Sequence, residues 1–544
     1  MIKTLHQKFK NSTPSSSLAS AAFVIAAAGA ASRLLGLLRD RILASQFGAG
    51  DALDVYYAAF RVPDLIYNLL ILGALSAAFI PVFTSLLARE EKEEAWELVN
   101  IFLTTALIFL LILVAILAIF APYLVKLITP GFSEEKMQLV IKLTRIMFLS
   151  PIFLGISGIF GGILNSFKRF LIYSIAPLLY NLGIILGALY FVKPLGIAGL
   201  AWGVVLGAFL HLAIQYPNVR ICGLKYFPRI NFRNKNLRRV ITLMIPRAMG
   251  LAVTQINLLV ITIIASTLSA GSLSIFNFAN NLQSVPLGFL SVPFVLAVFP
   301  TFSHLAARKN WNEFIFNFSK IFRQILFFII PASVLMIVLR AQIVRIVLGT
   351  GKFDWEDTIL TFQALGIFSI SLFAQCLIPL LARSFYAVHD TRIPFYTGLV
   401  SEGVNLALAF FLSQRYGILG LAWAFSAANV VNMLLLFFIL RSKFGNLDDK
   451  KIISVILKIV FSALAAGLAA QLFKYLTSFY IDLDTFVGIS TQMLIASAVG
   501  IAVYLVLTRI LKLEELYYLK TFLTSKIFRL HQTFPEDPTE ASGI

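Results

Sequence analysis

The chain has 544 residues, of which 59% are hydrophobic and 13% are charged, and its formal net charge is +19. A soluble domain carries about 25% charged residues, so this composition excludes a soluble globular enzyme, a disordered chain and a disulfide-built secreted module. Two cysteines allow no disulfide framework. The remaining class is a polytopic helical membrane protein, in which positive charge marks basic cytoplasmic loops rather than nucleic-acid binding.

Fourteen apolar stretches have the length of about 20 residues that crosses a bilayer as a helix. The first resembles a signal peptide, but it leads into Arg33, Arg39 and Asp40 without a convincing cleavage site, so we predict that it is retained. The predicted fold is therefore all-α and polytopic. The predicted spans are residues 19–47, 55–88, 97–120, 137–165, 172–192, 196–216, 239–267, 272–305, 317–339, 357–387, 393–413, 417–440, 453–475 and 486–510.

Loop charges predict the orientation of these spans. With the N-terminus in the cytoplasm, the basic loops all fall on the cytoplasmic side, and the longest of them, residues 217–238, is rich in Lys and Arg. The opposite loops carry few basic residues and include Asp51, Asp54, Asp482 and Asp484. Both termini are thus predicted to be cytoplasmic. The segment after Arg509 alternates apolar and charged residues and predicts an amphipathic helix on the inner membrane surface.

The sequence contains an internal repeat. Residues 196–203 (GIAGLAWG) recur as 417–424 (GILGLAWA), and residues 129–132 (TPGF) match 350–353 (TGKF) at the same offset of 221. This duplication predicts two six-span lobes related by an axis along the membrane normal, as in transporters that place substrate between their halves. The predicted domains are an N-terminal lobe (1–216), a basic linker (217–238), a C-terminal lobe (239–441), two extra helices (442–511) and a cytoplasmic tail (512–544).

The first span carries charged residues, and inserting each one at the centre of a membrane helix costs roughly 2.5–3.5 kcal/mol, which indicates a structural or functional role. Arg33 and Asp40 are seven residues apart and share a helical face with Gly36, whereas Arg39 points about 100° away from Asp40. An Arg–Asp pair would neutralise part of this charge. The excess of arginine, with Arg41 included, also fits an anionic ligand, because guanidinium binds phosphate with two hydrogen bonds.

The second span holds Asp54, Arg61, Pro63 and Asp64. Pro63 is predicted to kink or break the helix, as in the discontinuous helices of transporters. Arg61 and Asp64 are three residues apart, so they either pair with each other or leave Arg61 for a ligand.

Spans seven, eight and eleven carry polar side chains that either join helices or line a polar cavity. In spans seven and eight these are Gln255, Asn257, Asn277, Asn280, Asn281 and Gln283. In span eleven Glu402 and Asn405 share one face. Glu402 is predicted either to bind a proton or cation, which makes this pair our ion-coupling candidate, or to stay neutral and hydrogen-bonded.

The sequence shows no sign of catalysis or of a metal or nucleotide cofactor. The five histidines form no metal-ligand cluster, and no Gly-rich phosphate loop with Lys and Ser/Thr is present. We therefore predict a protein that is not an enzyme, that binds no cofactor and no nucleic acid, and that is not driven directly by ATP. Coupling to the membrane potential, to sodium or to protons is left open.

Several motifs spread over both halves resemble the MurJ (MviN) family of lipid II flippases, in the multidrug/oligosaccharidyl-lipid/polysaccharide exporter superfamily. The motifs are residues 32–40 (SRLLGLLRD), 60–63 (FRVP), 73–81 (GALSAAFIP), 255–257 (QIN), 265–266 (AS), 286–288 (PLG), 384–387 (SFYA) and 390–394 (DTRIP). The resemblance implies two six-helix lobes around a central cavity, with two extra helices that form a lipid-facing groove. It also implies that an undecaprenyl-diphosphate-linked peptidoglycan precursor moves from the inner to the outer leaflet of a bacterial inner membrane.

The resemblance also implies which residues bind substrate, and the chain departs from the family at four positions. The implied and candidate substrate-binding residues are Arg33, Arg39, Asp40, Asp54, Arg61 and Asn281. The departures are Tyr67 and Asn281, where the family usually has Arg, Leu72, where it usually has an acid, and Ile261, where sodium-using members have an acid. Arg61 is a candidate to replace part of the missing charge.

Three functions compete at this stage. The first is a lipid II flippase, with a lipid-linked oligosaccharide, membrane lipids and the cell-wall synthesis machinery as partners. The second is a flippase for another polyprenyl-diphosphate-linked saccharide, or a drug or cation exporter of the same superfamily. The third is a scaffold that recruits cell-wall enzymes, which would need a soluble extension. The first-span arginines favour a diphosphate-linked substrate over a drug.

Overall fold

A computed structural model describes residues 18–69 and 76–517. Within these ranges the chain is built of helices and short loops and contains no strand. In the N-terminal lobe the helices are α1 (Leu18–Phe47), α2 (Asp51–Ile66), α3 (Ser76–Ala88), α4 (Lys92–Ile128), α5 (Glu134–Met147), α6 (Leu149–Ser166), α7 (Phe170–Leu186), α8 (Val192–Leu195) and α9 (Ala198–Ile221).

The C-terminal lobe repeats this order and is followed by two further helices. Its helices are α10 (Lys235–Ser266), α11 (Ser272–Pro286), α12 (Val292–Ala307), α13 (Trp311–Val347), α14 (Trp355–Ile370), α15 (Leu372–Ala387), α16 (Arg392–Tyr416) and α17 (Ile418–Phe444). The additional pair is α18 (Asp449–Thr477) and α19 (Phe486–Ile510). Most of the predicted tail helix lies outside the described residues.

Polar side chains at the loop ends begin several of these helices. Ser133, Asn234, Asp354 and Thr485 each accept a hydrogen bond from a backbone N–H in the first turn of the helix that follows. These contacts satisfy N–H groups that have no partner inside the helix. The boundaries of the helices thus follow from local sequence, even though their apolar composition gives little amphipathic signal.

Several of the predicted spans are not single uninterrupted α-helices in the structure. Five-residue π-helical turns, Gly187–Phe191 and Leu287–Ser291, interrupt the fifth and eighth spans. The tenth span bends by 44° between α14 and α15. Pro63 does not break α2 where it stands, because the helix continues to Ile66. Periodicity alone does not show where a buried helix bends.

Fewer candidate membrane spans are found in the described residues than the fourteen predicted from the sequence. In residues 18–69 and 76–517, nine helical stretches are long and apolar enough to cross a membrane, or eleven if each of two bent pairs counts as one span. The remaining predicted spans are α1, the segment of α2 and α3, and α10. The multi-pass character is clear, and the total of fourteen stays a prediction.

The repeat seen in the sequence is also present in the backbone. Gly196 and Gly417 precede α9 and α17 with nearly the same conformation, φ of 59° and 55°. Three residues later, Gly199 and Gly420 lie so close to the preceding helix that a Cβ would meet backbone atoms at 2.3 Å in both lobes. Only glycine allows this approach, so the same device packs the last two helices of each lobe.

The two lobes meet at one end of the molecule in a two-fold manner. Lys352 donates its N–H to the carbonyl oxygen of Ser45 at 2.8 Å. At the equivalent place Gly131 donates its N–H to the hydroxyl of Ser266 at 3.4 Å. Each residue of one contact is 221 positions from its counterpart in the other. We call this end, formed by residues 45–54, 129–133, 266–274 and 348–357, the closed end. The reciprocal pattern is that of an isologous interface.

Both ends of the linker between the lobes, residues 217–238, are helical, although its composition is typical of a loop. α9 continues to Ile221 and α10 already begins at Lys235. The first turns of α10, with Leu237 and Val240, pack in a buried cluster with α3 and α4 of the N-terminal lobe. The later turns pack against α16. α10 therefore contacts both lobes, so a movement of one lobe relative to the other must involve this helix.

The orientation of the chain can be tested at this linker. We expect a single cysteine at exposed Arg229, in a background without Cys222 and Cys376, to react with a membrane-impermeant maleimide only after the cells are opened. The reason is the excess of Lys and Arg in residues 217–238. A cysteine at exposed Tyr480, between α18 and α19, is the matched control and is expected to react in intact cells. Labelling of position 229 from outside would reverse the proposed topology.

Candidate functional site: a charged ladder between the lobes

Four charged residues of the first two spans contact one face of α11 and of the π-helical turn that follows it. Asp54, Arg61, Asp40 and Arg33 of the N-terminal lobe contact positions 274, 277, 281 and 288 of the C-terminal lobe in that order. Those positions follow one another at helical spacing over about 20 Å. We call this set of contacts the interlobe ladder. Residues 272–291 contain no charged side chain, so every charge in the ladder comes from the N-terminal lobe.

Asp54 forms the first rung, at the closed end. Its carboxylate is 2% exposed and accepts hydrogen bonds from the backbone N–H of Gly271 at 2.7 Å and from the backbone N–H and hydroxyl of Ser274 at 2.8 and 2.6 Å. The acid of one lobe thus caps the first turn of a helix in the other, where the helix dipole favours negative charge. Both oxygens are engaged in this conformation, so Asp54 joins the lobes rather than facing a ligand.

Arg61 forms the second rung. Its Nε donates to the hydroxyl of Thr262 at 2.8 Å and its Nη2 donates to the side-chain oxygen of Asn277 at 3.0 Å. Both partners belong to the C-terminal lobe. The alternative in which Arg61 pairs with Asp64 is not realised, because Arg61 reaches across the interface and makes no ion pair within the described residues.

Asp40 forms the third rung, together with Arg39. The Nε and Nη2 of Arg39 donate to one oxygen of Asp40 at 3.0 and 2.8 Å, and Asn281 donates to the other oxygen at 2.9 Å. Arg39 also donates to Asn181 of α7 at 3.1 Å. Arg33 and Asp40 lie on the same face of α1, as predicted, since both contact the eighth span. The prediction that Arg39 points away from Asp40 was wrong. A long arginine side chain spans the angle between neighbouring positions, and Asn181 holds it there.

Arg33 forms the fourth rung, and it makes the least contact with protein. Its guanidinium lies against Gly288, so closely that a Cβ at that position would overlap it, and it stands 5.7 Å from the centre of the Phe289 ring. The side chain is partly exposed and makes no ion pair or side-chain hydrogen bond within residues 18–69 and 76–517. The absence of a side chain at 288 creates the space that this arginine fills.

The ladder carries an excess of positive charge. Arg39 is neutralised by Asp40, and Asp54 is bound to the start of α11. Arg33 makes no ion pair in the described part of the chain, and Arg61 makes no salt bridge there, although Asp64 lies within electrostatic range of it. The remaining first-span arginine, Arg41, lies elsewhere: it donates to the carbonyl of Ile346 and faces the ring of Phe486 at the closed end. The arrangement is suited to an anion with several oxygens.

The ion-coupling candidates lie on the other side of α10. Asn405 of α16 is buried and donates to the side-chain oxygen of Asn257 at 2.7 Å. The side-chain oxygen of Asn405 is buried without a partner in the described residues. Glu402, one turn earlier on the same face, is partly buried. The carboxylate and the free amide oxygen are the kinds of ligand that a proton or a hard cation needs.

Three of the four departures from the family pattern lie in the described residues. Tyr67 packs against Leu154, and Ile261 is 1% exposed within the main core. Neither position supplies charge. Asn281 supplies an amide to Asp40 where the family usually has Arg, and Leu72 lies outside the described residues. The ladder therefore depends on Arg33 and Arg61 for its unbalanced positive charge.

Sequence reasoning did not assign four partners of the ladder: Thr262, Ser274, Asn181 and Gly288. Three are neutral polar residues and the fourth is a glycine, and such residues are common in membrane helices and give no signal alone. One signal was present: positions 274, 277, 281 and 288 of the eighth span lie on one helical face opposite spans rich in arginine.

These features define a class of protein. A multi-pass helical protein built of two repeats, closed at one end by a two-fold contact and charged along the surface between the repeats, is a two-lobe transporter.

Comparisons with known proteins identify the family. Residues 43–512 match the family model described as lipid II flippase MurJ. A probable lipid II flippase MurJ of Buchnera aphidicola from Schizaphis graminum is 31% identical over 76% of this chain and 81% of its own length. One from Rhizobium meliloti is 30% identical over 85% of this chain and 88% of its own. The chain belongs to the MurJ family.

Solved structures agree with this assignment. A lipid II flippase MurJ in an inward closed conformation superimposes with a TM-score of 0.75 and 26% identity, over 93% of this chain and all of the other. An inward-facing multidrug transporter of the MATE family has a TM-score of 0.66 over 77% of this chain and 96% of its own. Its identity of 16% shows the fold alone.

Proposed function

We propose that this protein flips lipid II, the undecaprenyl-diphosphate-linked peptidoglycan precursor, from the inner to the outer leaflet of a bacterial inner membrane. The observation that carries the proposal is the pair of arginines, Arg33 and Arg61, that face the C-terminal lobe and make no salt bridge in the described part of the chain. A charge in a membrane span is costly, so an uncompensated pair is stabilised when an anionic ligand arrives. The relatives that this chain matches over most of their length are named probable lipid II flippases, which supports the same substrate.

The interlobe ladder supports alternating access between the lobes. At the closed end Asp54 binds the start of α11, and the two-fold contact of Ser45 with Lys352 lies beside it. With both termini in the cytoplasm, as the loop charges predict, the closed end is extracytoplasmic. Release of substrate to the outer leaflet then requires these contacts to break while the lobes rock about α10. When Arg33 and Arg61 lose their contacts with the C-terminal lobe, the negative charge of the diphosphate balances their positive charge.

We place energy coupling at Glu402 and Asn405, with the proton or a cation such as sodium as the coupled ion and the membrane potential as a contributing force. The support is the unpartnered oxygen of Asn405 beside the only acid in the middle of α16. Because Asn405 is bonded to Asn257 of α10, an ion bound here acts on the helix that contacts both lobes. ATP is not part of this scheme.

Replacing Glu402 with glutamine tests the coupling. We expect E402Q to lower transport about tenfold or more and to make the remaining transport independent of an imposed proton or sodium gradient, since the amide cannot gain or lose a proton. Transport of fluorescent lipid II into proteoliposomes with defined gradients measures this. Glu313, an exposed acid at the start of α13, gives the control E313Q. Gradient-dependent transport at the normal rate in E402Q would remove Glu402 from the mechanism.

Depletion in the native host tests the function. We expect loss of the protein to accumulate lipid II in the inner leaflet, where an externally added lipid II-degrading enzyme cannot reach it. Re-expression of the wild-type chain is expected to restore the accessible pool. Unchanged accessibility of lipid II together with the accumulation of another polyprenyl-diphosphate-linked saccharide would assign the protein to that substrate instead. Cell-wall synthesis enzymes are the proposed partners that consume the flipped lipid.

A further inference from the structure

A second site with unbalanced positive charge lies outside the interlobe ladder. A cavity of about 360 Å³ opens between α13, α14 and α18. Its lining includes Arg340, Phe362, Gln471 and Lys474, with apolar side chains of α13 between them. The two basic residues come from helices that are distant in sequence, and neither belongs to the repeat-related contacts described above.

The two cations in this cavity bind only backbone oxygens. Arg340 donates to the carbonyl of Ile337 at 2.8 Å, and Lys474 donates to the carbonyl of Val338, also at 2.8 Å. The Arg340 guanidinium stands 5.7 Å from the centre of the Phe362 ring. In the described part of the chain neither side chain makes an ion pair. Two positive charges therefore share one cavity, where carbonyl dipoles and an aromatic face offset only part of their cost.

The position of the cavity indicates the kind of anion. Arg340 is seven residues from the end of α13 and Lys474 is three from the end of α18, which correspond to depths of about 10 Å and 5 Å from the helix ends. Long basic side chains at this depth reach the headgroup region of a bilayer. Beside Lys474, the surface of α18 exposes Leu468 and Leu472, which are 74% and 55% accessible and suit acyl chains.

We propose that Arg340 and Lys474 form a binding site for the phosphate group of an anionic lipid in the outer leaflet. The guanidinium supplies paired N–H donors and the ammonium a point charge, and both are recognised phosphate partners. The site is separate from the ladder and rests on the proposed orientation, in which these helix ends are extracytoplasmic. Its lipid phosphate comes either from a glycerophospholipid or from a polyprenyl diphosphate already in that leaflet.

Native mass spectrometry of the full-length protein tests the site. The protein is equilibrated in detergent with equal amounts of dioleoyl phosphatidylglycerol and dioleoyl phosphatidylcholine, and the retained lipid is counted. We expect preferential retention of phosphatidylglycerol, reduced about tenfold in the double variant R340Q/K474Q, because two charge-assisted contacts are lost. The charge-retaining variant R340K/K474R is expected to keep the preference. The control K126Q/K193Q removes two exposed charges from the same end of the N-terminal lobe.

The outcomes separate the proposal from its alternatives. Equal phosphatidylglycerol retention in R340Q/K474Q and in the control would overturn the site. Displacement of the lipid by inorganic phosphate at equal concentration would overturn its lipid specificity. Displacement by undecaprenyl diphosphate would assign the site to a polyprenyl lipid, and no displacement would assign it to a glycerophospholipid. Lipid II flipping is measured separately, and its failure would concern the ladder rather than this cavity.

Discussion

Arg33→Ala is expected to abolish complementation of a strain depleted of its flippase while the protein reaches the membrane at its normal level. Arg33 fills the space above Gly288 and has no acid or side-chain hydrogen-bond partner within the described residues. Its removal therefore leaves no protein group unpaired, so the substitution is expected to weaken binding of the anionic substrate without destabilising the protein. Arg33→Lys is expected to restore transport only in part, because an ammonium does not reproduce the two-point contact of a guanidinium with phosphate.

Arg39→Ala is expected to be as harmful for a different reason. It leaves the buried Asp40 without its ion-pair partner, which costs on the order of 3 kcal/mol, so both assembly and transport should suffer. The double variant R39Q/D40N removes both charges together and is expected to recover membrane level more than transport. This difference separates the structural part of the pair from its part in binding.

Arg41 and Gly288 provide control variants for these predictions. R41Q removes a guanidinium from α1 outside the ladder and keeps a donor for the Ile346 carbonyl, so it is expected to complement. Gly288→Ala leaves Arg33 in place but displaces its guanidinium, and it is expected to lower transport. Normal growth of R33A, R39A and R61A at normal expression would place the diphosphate site elsewhere and make lipid II a doubtful substrate.

Asp54→Ala is expected to open the closed end and to stop transport. The substitution removes the acceptor of three hydrogen bonds from Gly271 and Ser274, among them the cap of α11. Loss of these buried contacts should lower the population of the closed form about tenfold or more. Asp54→Asn is expected to be milder, since its amide oxygen can still accept from a backbone N–H.

Disulfide formation measures this population. Cysteines at Ser45 and Lys352, in a background without Cys222 and Cys376, report closure because these residues are joined by a backbone hydrogen bond. We expect efficient cross-linking in the parent and weak cross-linking with Asp54→Ala. Asp51→Ala is the matched control: it removes a half-exposed acid one turn away that pairs with Lys136 of the same lobe. Equal cross-linking and growth in both variants would deny Asp54 a role in closure.

Much of the fold could be predicted from the sequence, because the signals involved are local. Apolar length, loop charge and the 221-residue repeat indicate a multi-pass protein with two related lobes, and the structure and the family comparison confirm the helical class. The breaks at Gly187–Phe191 and Leu287–Ser291 escaped prediction. At these turns Gly187 lies against the backbone of Gly203 and Gly288 against the Arg33 guanidinium, and hydropathy carries no information on such contacts.

The chain by itself determined which residues bear charge inside the membrane, since each is costly and therefore conspicuous. Tertiary structure decided how those charges are used. It turned Arg39 onto Asp40, gave Arg61 to Thr262 and Asn277, and engaged Asp54 at the start of α11. It left Arg33 over a glycine of the other lobe. The partners of Arg61 and Asp54 lie more than 200 residues away along the chain, and only the packing of one lobe on the other brings them within hydrogen-bond distance.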